Sequence, residues 1–185
     1  MKEAPHFKEI DSSSEVYRRR EVLAGDVDEL RRRLDLWSDA QRRWVHLDAI
    51  FGSNADIGDR LPQAKNAFSD GSRTFDRCRD DCLESCRVRA LLEVAALPES
   101  LEAVSRLFGD AQRWLGEFLE SMRSEFPRFY FVGDDDLLGM LGGGIDGARP
   151  HLTKMFAALR DVSGGRMFSS DGEDVPLTGS LDESS

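Results

Sequence analysis

The chain has 185 residues, 40% hydrophobic and 32% charged, which is one domain's worth of sequence with enough apolar side chains for a core. A net charge of -10 and a pI near 4.8 argue against non-specific binding to nucleic acid or to an anionic membrane, because both need a basic footprint. No run approaches the roughly 20 apolar residues of a membrane helix, and the start lacks the basic-then-apolar order of a secretory leader, so the expectation is a soluble intracellular chain.

Residues 1–14 are polar and irregular and are expected to be a disordered N-terminus. Residues 15–51 read as helix, softened near Gly25. Leu30, Leu34, Trp37, Trp44, Leu47 and Phe51 fall at three- and four-residue steps, with Gln41 interrupting, and make an apolar seam for a partner helix. The arginine runs 18–20 and 31–33 read as solvated helix faces. A break with a short helical piece covers 52–62. A second helix is predicted over 63–86, with Phe68, Phe75, Cys78, Cys82 and Cys86 inward. Gly71 lies inside it and should weaken it by about 1 kcal/mol relative to alanine.

A short apolar helix, 90–96, comes next. Pro98 then opens the strongest helix. Its seam is Leu101, Val104, Phe108, Ala111, Leu115, Phe118, Met122 and Phe126, widened by Leu107 and Trp114 and softened at Gly109. Pro127 stops it, because the proline ring drives Phe126 out of the α region. Residues 128–132 are aromatic and β-branched and read as a short, buried, extended segment. Gly133 or Asp134 can cap the next helix, and the acids just after suit its positive end. That helix begins near Leu137 but is diluted by Gly139 and by Gly142, Gly143 and Gly144. Residues 150–162 read as one further helix. Residues 166–169 and 173–177 flank Asp171-Gly172, a strong hairpin signal, and Pro176 confines the second strand to an edge. Residues 178–185 read as a disordered tail. The predicted fold is all-α, an elongated helical bundle over 15–165 closed by a β-hairpin over 166–177.

Chemistry-bearing patterns are sparse. Cys78, Cys82 and Cys86 share one helix stripe. Zinc usually takes four ligands, and no second cluster is present, so core packing is the better reading and metal or redox chemistry the alternative. The glycines at 142–144 lack the Gly-Lys-Ser/Thr ending of a P-loop. Asp134, Asp135 and Asp136 read as helix-start acids. There is no convincing triad and no carboxylate pair with a positioned base, so no catalytic, cofactor or metal residue is assigned.

Several blocks, in order, carry a family resemblance. Trp44, Leu47, Ile50 and Phe51, then Asp56-Ile57, Leu61-Pro62 and Phe68, are similar in type and spacing to the linker region of dynein heavy chains. So is Phe126-Pro127-Arg128-Phe129-Tyr130-Phe131, followed by Gly133, Asp134, Leu137 and Leu138. His151 with Lys154, Met155 and Phe156 resembles another linker motif, and Ser170 to Pro176, with Gly172 and Glu173, resembles the linker's hairpin. Family linkers also carry Trp, Gln and Trp at the positions of Trp37, Gln41 and Trp44. The likeness spans about residues 37–177. It departs at 142–144, where relatives carry helix formers or a polar turn.

The resemblance implies a non-catalytic piece of a mechanical lever. In dyneins the linker arches over a ring of AAA+ modules and changes its bend and docking through the ATP cycle, while the ATP sites lie in the ring. It implies no cofactor in this chain. The implied partners are the AAA+ ring, the other dynein subunits and, only indirectly, microtubules. The implied place is the cytoplasm and cytoskeleton, with the cilium or flagellum as a second. Gly133 after Val132 is similar to cytoplasmic and intraflagellar-transport heavy chains more than to axonemal ones. A heavy chain is far longer than this sequence, so the implied status is a fragment. A free-standing helical scaffold is the alternative, and a metal or redox protein on the cysteine stripe the third reading.

Overall fold

The computed structural model describes residues 15–52, 55–84 and 88–176. The tails expected at 1–14 and 178–185, and Cys86, lie outside the described residues. Helix α1 spans Glu15–Phe51, α2 Ala55–Arg60, α3 Pro62–Leu83, α4 Ala90–Glu93 and α5 Leu97–Glu125. A 3₁₀ turn, Pro127–Phe131, leads to α6, Asp134–Ala148; a second, Arg149–His151, leads to α7, Leu152–Met155. Strands β1 (Leu159–Ser163), β2 (Arg166–Ser169) and β3 (Asp174–Pro176) form an antiparallel sheet in the order β1-β2-β3. The fold is all-α with a small C-terminal sheet, as the sequence predicts.

The core is built where α5 lies against α3 and α1. Leu101, Val104, Phe108, Ala111, Leu115 and Leu119 are buried along one face of α5. Pro98 sits in its first turn, where its missing N–H costs nothing. Each large side chain so buried contributes roughly 1.5–3 kcal/mol. Across from them lie Ala64, Ala67, Phe68, Gly71, Phe75 and Cys78 of α3. The Phe68 and Phe108 rings stand 5.9 Å apart. Gly71 is a packing residue rather than a weak point: a Cβ there would lie 2.5 Å from Cε1 of Phe108. On α1 the buried residues, Ala40, Leu47, Ile50 and Phe51, all lie in the C-terminal half. The helix passes Gly25 without interruption.

Polar pairs fix the angle between helices. Asp39 on α1 accepts hydrogen bonds from Arg43 Nε at 2.9 Å and from the Ser105 hydroxyl on α5 at 3.0 Å. The Arg43 guanidinium, then the Ser105 hydroxyl, hold the Asp39 carboxyl below its ordinary value against the opposing effect of burial. Arg43 also donates to Gln112 of α5 at 3.1 Å. Arg33, on the α1 face toward α4, donates to the carbonyls of Leu91 at 2.5 Å and Val94 at 2.9 Å. It thereby gives a charged donor to the Leu91 carbonyl of a four-residue helix and to the Val94 carbonyl just after it, which also accepts from the Leu97 N–H at 3.2 Å.

Predicted and observed elements differ toward the C-terminus. Residues 150–162 are not one helix: a 3₁₀ turn and α7 stop at Met155, and 159–163 is β1. The cause is Gly164-Gly165, whose φ of 56° and 73° build a two-residue hairpin turn and draw the preceding residues into pairing with β2. The sheet therefore begins before residue 166. The expected pairing across Asp171-Gly172 is present, with Met167 opposite Val175 and Gly172 at φ 85°. Helix α6 holds the glycine run but breaks at Gly144, φ 56° and ψ -140°. Beyond the break the chain folds back so closely that a Cβ on Gly147 would lie 2.5 Å from the Gly139 carbonyl oxygen.

Candidate functional site

Pro127 stops α5, leaving Phe126 extended at φ -130° and ψ 91°. The segment after it is not the extended, buried strand that its composition predicts. Residues 127–131 wind into a 3₁₀ turn in which Tyr130 and Phe131 are 57% and 69% exposed. A short run rich in aromatic side chains can adopt either form, and here Phe129 N–H closing onto the Phe126 carbonyl at 2.9 Å decides it. Only Val132, just past the turn, is buried.

The turn is a joint between α5, α6 and the end of α7. Phe126 meets Phe129 edge-on at 4.9 Å and lies 6.5 Å from Phe156. The Arg128 guanidinium sits 4.5 Å over the Phe156 ring and donates to the Met155 carbonyl at 2.7 Å. Met155 is buried and Phe156 packs on the core beside it. Tyr130 donates to Glu120 of α5 at 2.5 Å, and that contact raises its phenol above the ordinary value. Arg123, near the end of α5, donates to the Val132 carbonyl at 3.3 Å and pairs with Asp134 in the first turn of α6. Asp134 thus complements both the helix start and a cation.

α6 is anchored by Leu137 and Leu138, both buried, and its first N–H to carbonyl bond runs from Leu137 to Gly133 at 2.9 Å. Lys154 on α7 pairs with Asp136 on α6 and holds that carboxyl below its ordinary value. His151 approaches Asp136 at 3.7 Å, beyond hydrogen-bond reach, and its Nδ1 has no hydrogen-bond partner among the described residues.

The upstream blocks sit elsewhere, in the helical core. Trp44 donates to the Ser72 hydroxyl at 3.1 Å, and Phe51 stacks on Phe68 at 5.6 Å. Leu47 and Ile50 are buried beside them. Leu61 packs on the core and Pro62 begins α3. Gly172 and Glu173 lie in the β2–β3 turn, where the Glu173 and Asp171 N–H groups both donate to the Ser169 hydroxyl oxygen. The sequence-predicted residues therefore form two larger groups, with Gly172 and Glu173 apart in the β2–β3 turn. Phe126 to Asp134, Leu137, Leu138, His151 and Phe156 gather around the joint; Trp44 to Pro62 belong to the α1–α3 interface. Arg123, Arg33 and the Asp39 network carry no signal in the sequence. Cation–carbonyl contacts between distant segments leave no periodic trace.

Cys78 is buried and Cys82 half-buried; both thiols are free, and burial pushes both above their ordinary values. Among the described residues no group of three or more His, Cys, Asp or Glu could hold a metal ion.

Comparison with known proteins decides the family. The family model described as "Dynein heavy chain, N-terminal region 2" matches residues 7–184. The chain belongs to the dynein heavy chain family. The cytoplasmic dynein heavy chain of Drosophila melanogaster is 37% identical over 164 residues, covering 88% of this chain and 3% of the fly protein. That of Dictyostelium discoideum is 34% identical over 165 residues, again 88% of this chain and 3% of its own length. Cytoplasmic dynein 2 heavy chain 1 of Caenorhabditis elegans is 32% identical over 187 residues, 96% of this chain and 4% of the worm protein. The chain thus spans a few hundredths of the length of these dynein heavy chains.

Proposed function

We propose that this chain is a segment of a dynein heavy chain linker, a non-catalytic lever in a motor that moves toward microtubule minus ends. The observation that carries the reading is the joint. A single 3₁₀ turn ties the end of a 29-residue helix to α6 and to the end of α7 through Arg128, Arg123 and Phe126. A lever needs such a connection, because bending at one end must be carried across to the other without loss in a soft loop. The break at Gly144 and the close approach of Gly147 to Gly139 set a bend directly after that joint.

Under this reading ATP is hydrolysed in AAA+ modules elsewhere in the heavy chain. The partners are that ring and the other dynein subunits, with microtubules reached indirectly. The motor works in the cytoplasm on the cytoskeleton, or within cilia; similarity to cytoplasmic dynein heavy chains supports the first of these places. Tagging the endogenous locus and sizing the native polypeptide tests it. A product many times longer than 185 residues, with AAA+ modules in the same reading frame, is expected. A stable product no longer than this segment would support a free-standing scaffold instead.

A further inference from the structure

The β2–β3 turn is acidic and holds two adjacent serines in unlike settings. The Ser169 hydroxyl oxygen is half-buried and already accepts from the Asp171 and Glu173 N–H groups at 3.2 and 3.0 Å. Ser170 is exposed. Its N–H donates to the Ala158 carbonyl at 2.9 Å, and its hydroxyl makes no hydrogen bond among the described residues. Carboxylates follow Ser170 at the first, third and fourth residues, Asp171, Glu173 and Asp174, and all three are exposed. Among the described residues no other serine or threonine has a carboxylate three residues after it. Ser12, Ser53 and Ser180 share that spacing in the sequence and lie outside the described residues.

The strand that carries Asp174 is weakly held. β3 has three residues, all exposed, and Pro176 has no N–H to donate. A short exposed edge of this kind opens locally at low cost. Opening presents Ser170 to Asp174 as an extended acidic stretch. Arg166 is the one cation of residues 166–176, and it is committed to Asp174, with Nε at 2.6 Å.

We propose that Ser170 is a phosphorylation site for a serine kinase that reads acidic residues after its target, with Glu173 as the main recognition residue and Asp171 and Asp174 in support. Such a kinase binds through a basic cleft, where carboxylates at fixed offsets make charge-assisted pairs. The Ser170 hydroxyl oxygen attacks the γ-phosphorus of ATP. The bond from that phosphorus to the β-phosphate oxygen breaks, ADP leaves, and the hydroxyl proton passes to the kinase's base. The product sets about two further negative charges beside three carboxylates. The phosphate competes with Asp174 for Arg166 and repels the other carboxylates, so β3 separates from β2. The proposal does not rest on the heavy-chain reading, because a free-standing chain carries the same hairpin.

The chain is incubated with casein kinase 2 and magnesium ATP, and the modified residue is located by tandem mass spectrometry. One phosphate on Ser170 is expected. Glu173→Gln, at an exposed position, should slow its transfer about tenfold, the loss of one charge-assisted pair. Ser169→Ala should leave Ser170 a substrate. In the phosphorylated chain, amide exchange at Met167 and Val175, which face each other across β2 and β3, should rise about three- to tenfold while α5 is unchanged. The tagged native polypeptide, whatever its length, should accept phosphate at the same residue. An unmodified Ser170, whether or not Ser12, Ser53, Ser169 or Ser180 is labelled, would overturn the site. So would a rate indifferent to Glu173→Gln, or a native polypeptide refractory at Ser170. Unchanged or slower exchange at Val175 in the phosphorylated chain would overturn the release of β3.

Discussion

Alanine at Gly71 separates helix propensity from packing. In an exposed helix interior, Gly→Ala should stabilise by about 1 kcal/mol. At Gly71 the new Cβ would stand 2.5 Å from Cε1 and 2.9 Å from Cδ1 of Phe108, with Cβ of Leu107 at 3.4 Å. The Phe108 ring is fully buried and has Phe68 beside it, so it has little room to retreat. Overpacking of this kind costs about 1–3 kcal/mol. The net expectation for Gly71→Ala is a loss of roughly 1 kcal/mol, which lowers Tm by about 2–4 °C in a chain of this size. Gly116 on α5 is the control, because it is exposed and nothing lies within 4 Å of its Cβ position. Gly116→Ala should raise Tm by about 2–4 °C. Thermal unfolding followed by circular dichroism reads both. Phe108→Leu, itself destabilising, should make Gly71→Ala cheaper in a double-mutant cycle. A Gly71→Ala variant that melts as high as Gly116→Ala would refute the claim that α3 and α5 meet across this glycine.

Other consequences are as direct. Arg33→Ala should cost ~1.5–3 kcal/mol by leaving the Leu91 and Val94 carbonyls without their charged donor, seen as a lower urea midpoint with faster hydrogen exchange in α4. Glu29 is held down to about 2 by its hydrogen bonds to Arg32 and then Arg33. Its contribution to stability is therefore complete above the unfolded value near 4.5 and is lost as pH falls toward 2, so Glu29→Gln should lower stability at neutral pH and flatten the acid limb of a pH-stability curve, its difference from the wild type vanishing as pH falls toward 2. Gly165→Val should destabilise the β1–β2 hairpin by about 1–2 kcal/mol, because φ of 73° is hostile to a β-branched side chain; faster exchange at Val162 and Met167 amides, with α5 unchanged, is the readout. Arg128→Ala should raise exchange in residues 155–163 by about five- to thirtyfold, the range set by a loss of one or two kcal/mol, while α3 stays protected.

Much of the helical core is legible in the sequence because it is periodic. α5 announces itself by Leu101, Val104, Phe108, Ala111 and Leu115 at three- and four-residue steps after Pro98. The same signal marks the C-terminal half of α1, though it cannot show that the N-terminal half of that seam stands uncovered. Non-periodic pieces mislead. Phe129, Tyr130 and Phe131 have the composition of a strand, but a short aromatic run has no period to distinguish extended from 3₁₀, and the deciding bond is local backbone geometry. β1 reads as helix because Leu159, Asp161 and Val162 do not alternate cleanly across the bulge near residue 160, and the Gly164-Gly165 signal is overshadowed by Asp171-Gly172. Intrinsic propensity makes Gly71 a weak point, whereas the ring that requires it lies on a different helix. The aromatic joint is visible as a motif; the arginines that close it, Arg123 and Arg128, draw their meaning from carbonyls of Val132 and Met155 that only the fold brings near.

The lever reading is tested most directly by cutting the joint in the intact motor. Arg128→Ala, together with Phe126→Ala, is introduced into the full-length heavy chain, and microtubule gliding velocity is measured beside ATP hydrolysis by the same preparation. The account predicts slower gliding with hydrolysis retained, because the joint transmits movement and takes no part in chemistry. Unchanged gliding, or hydrolysis lost in step with velocity, would contradict it.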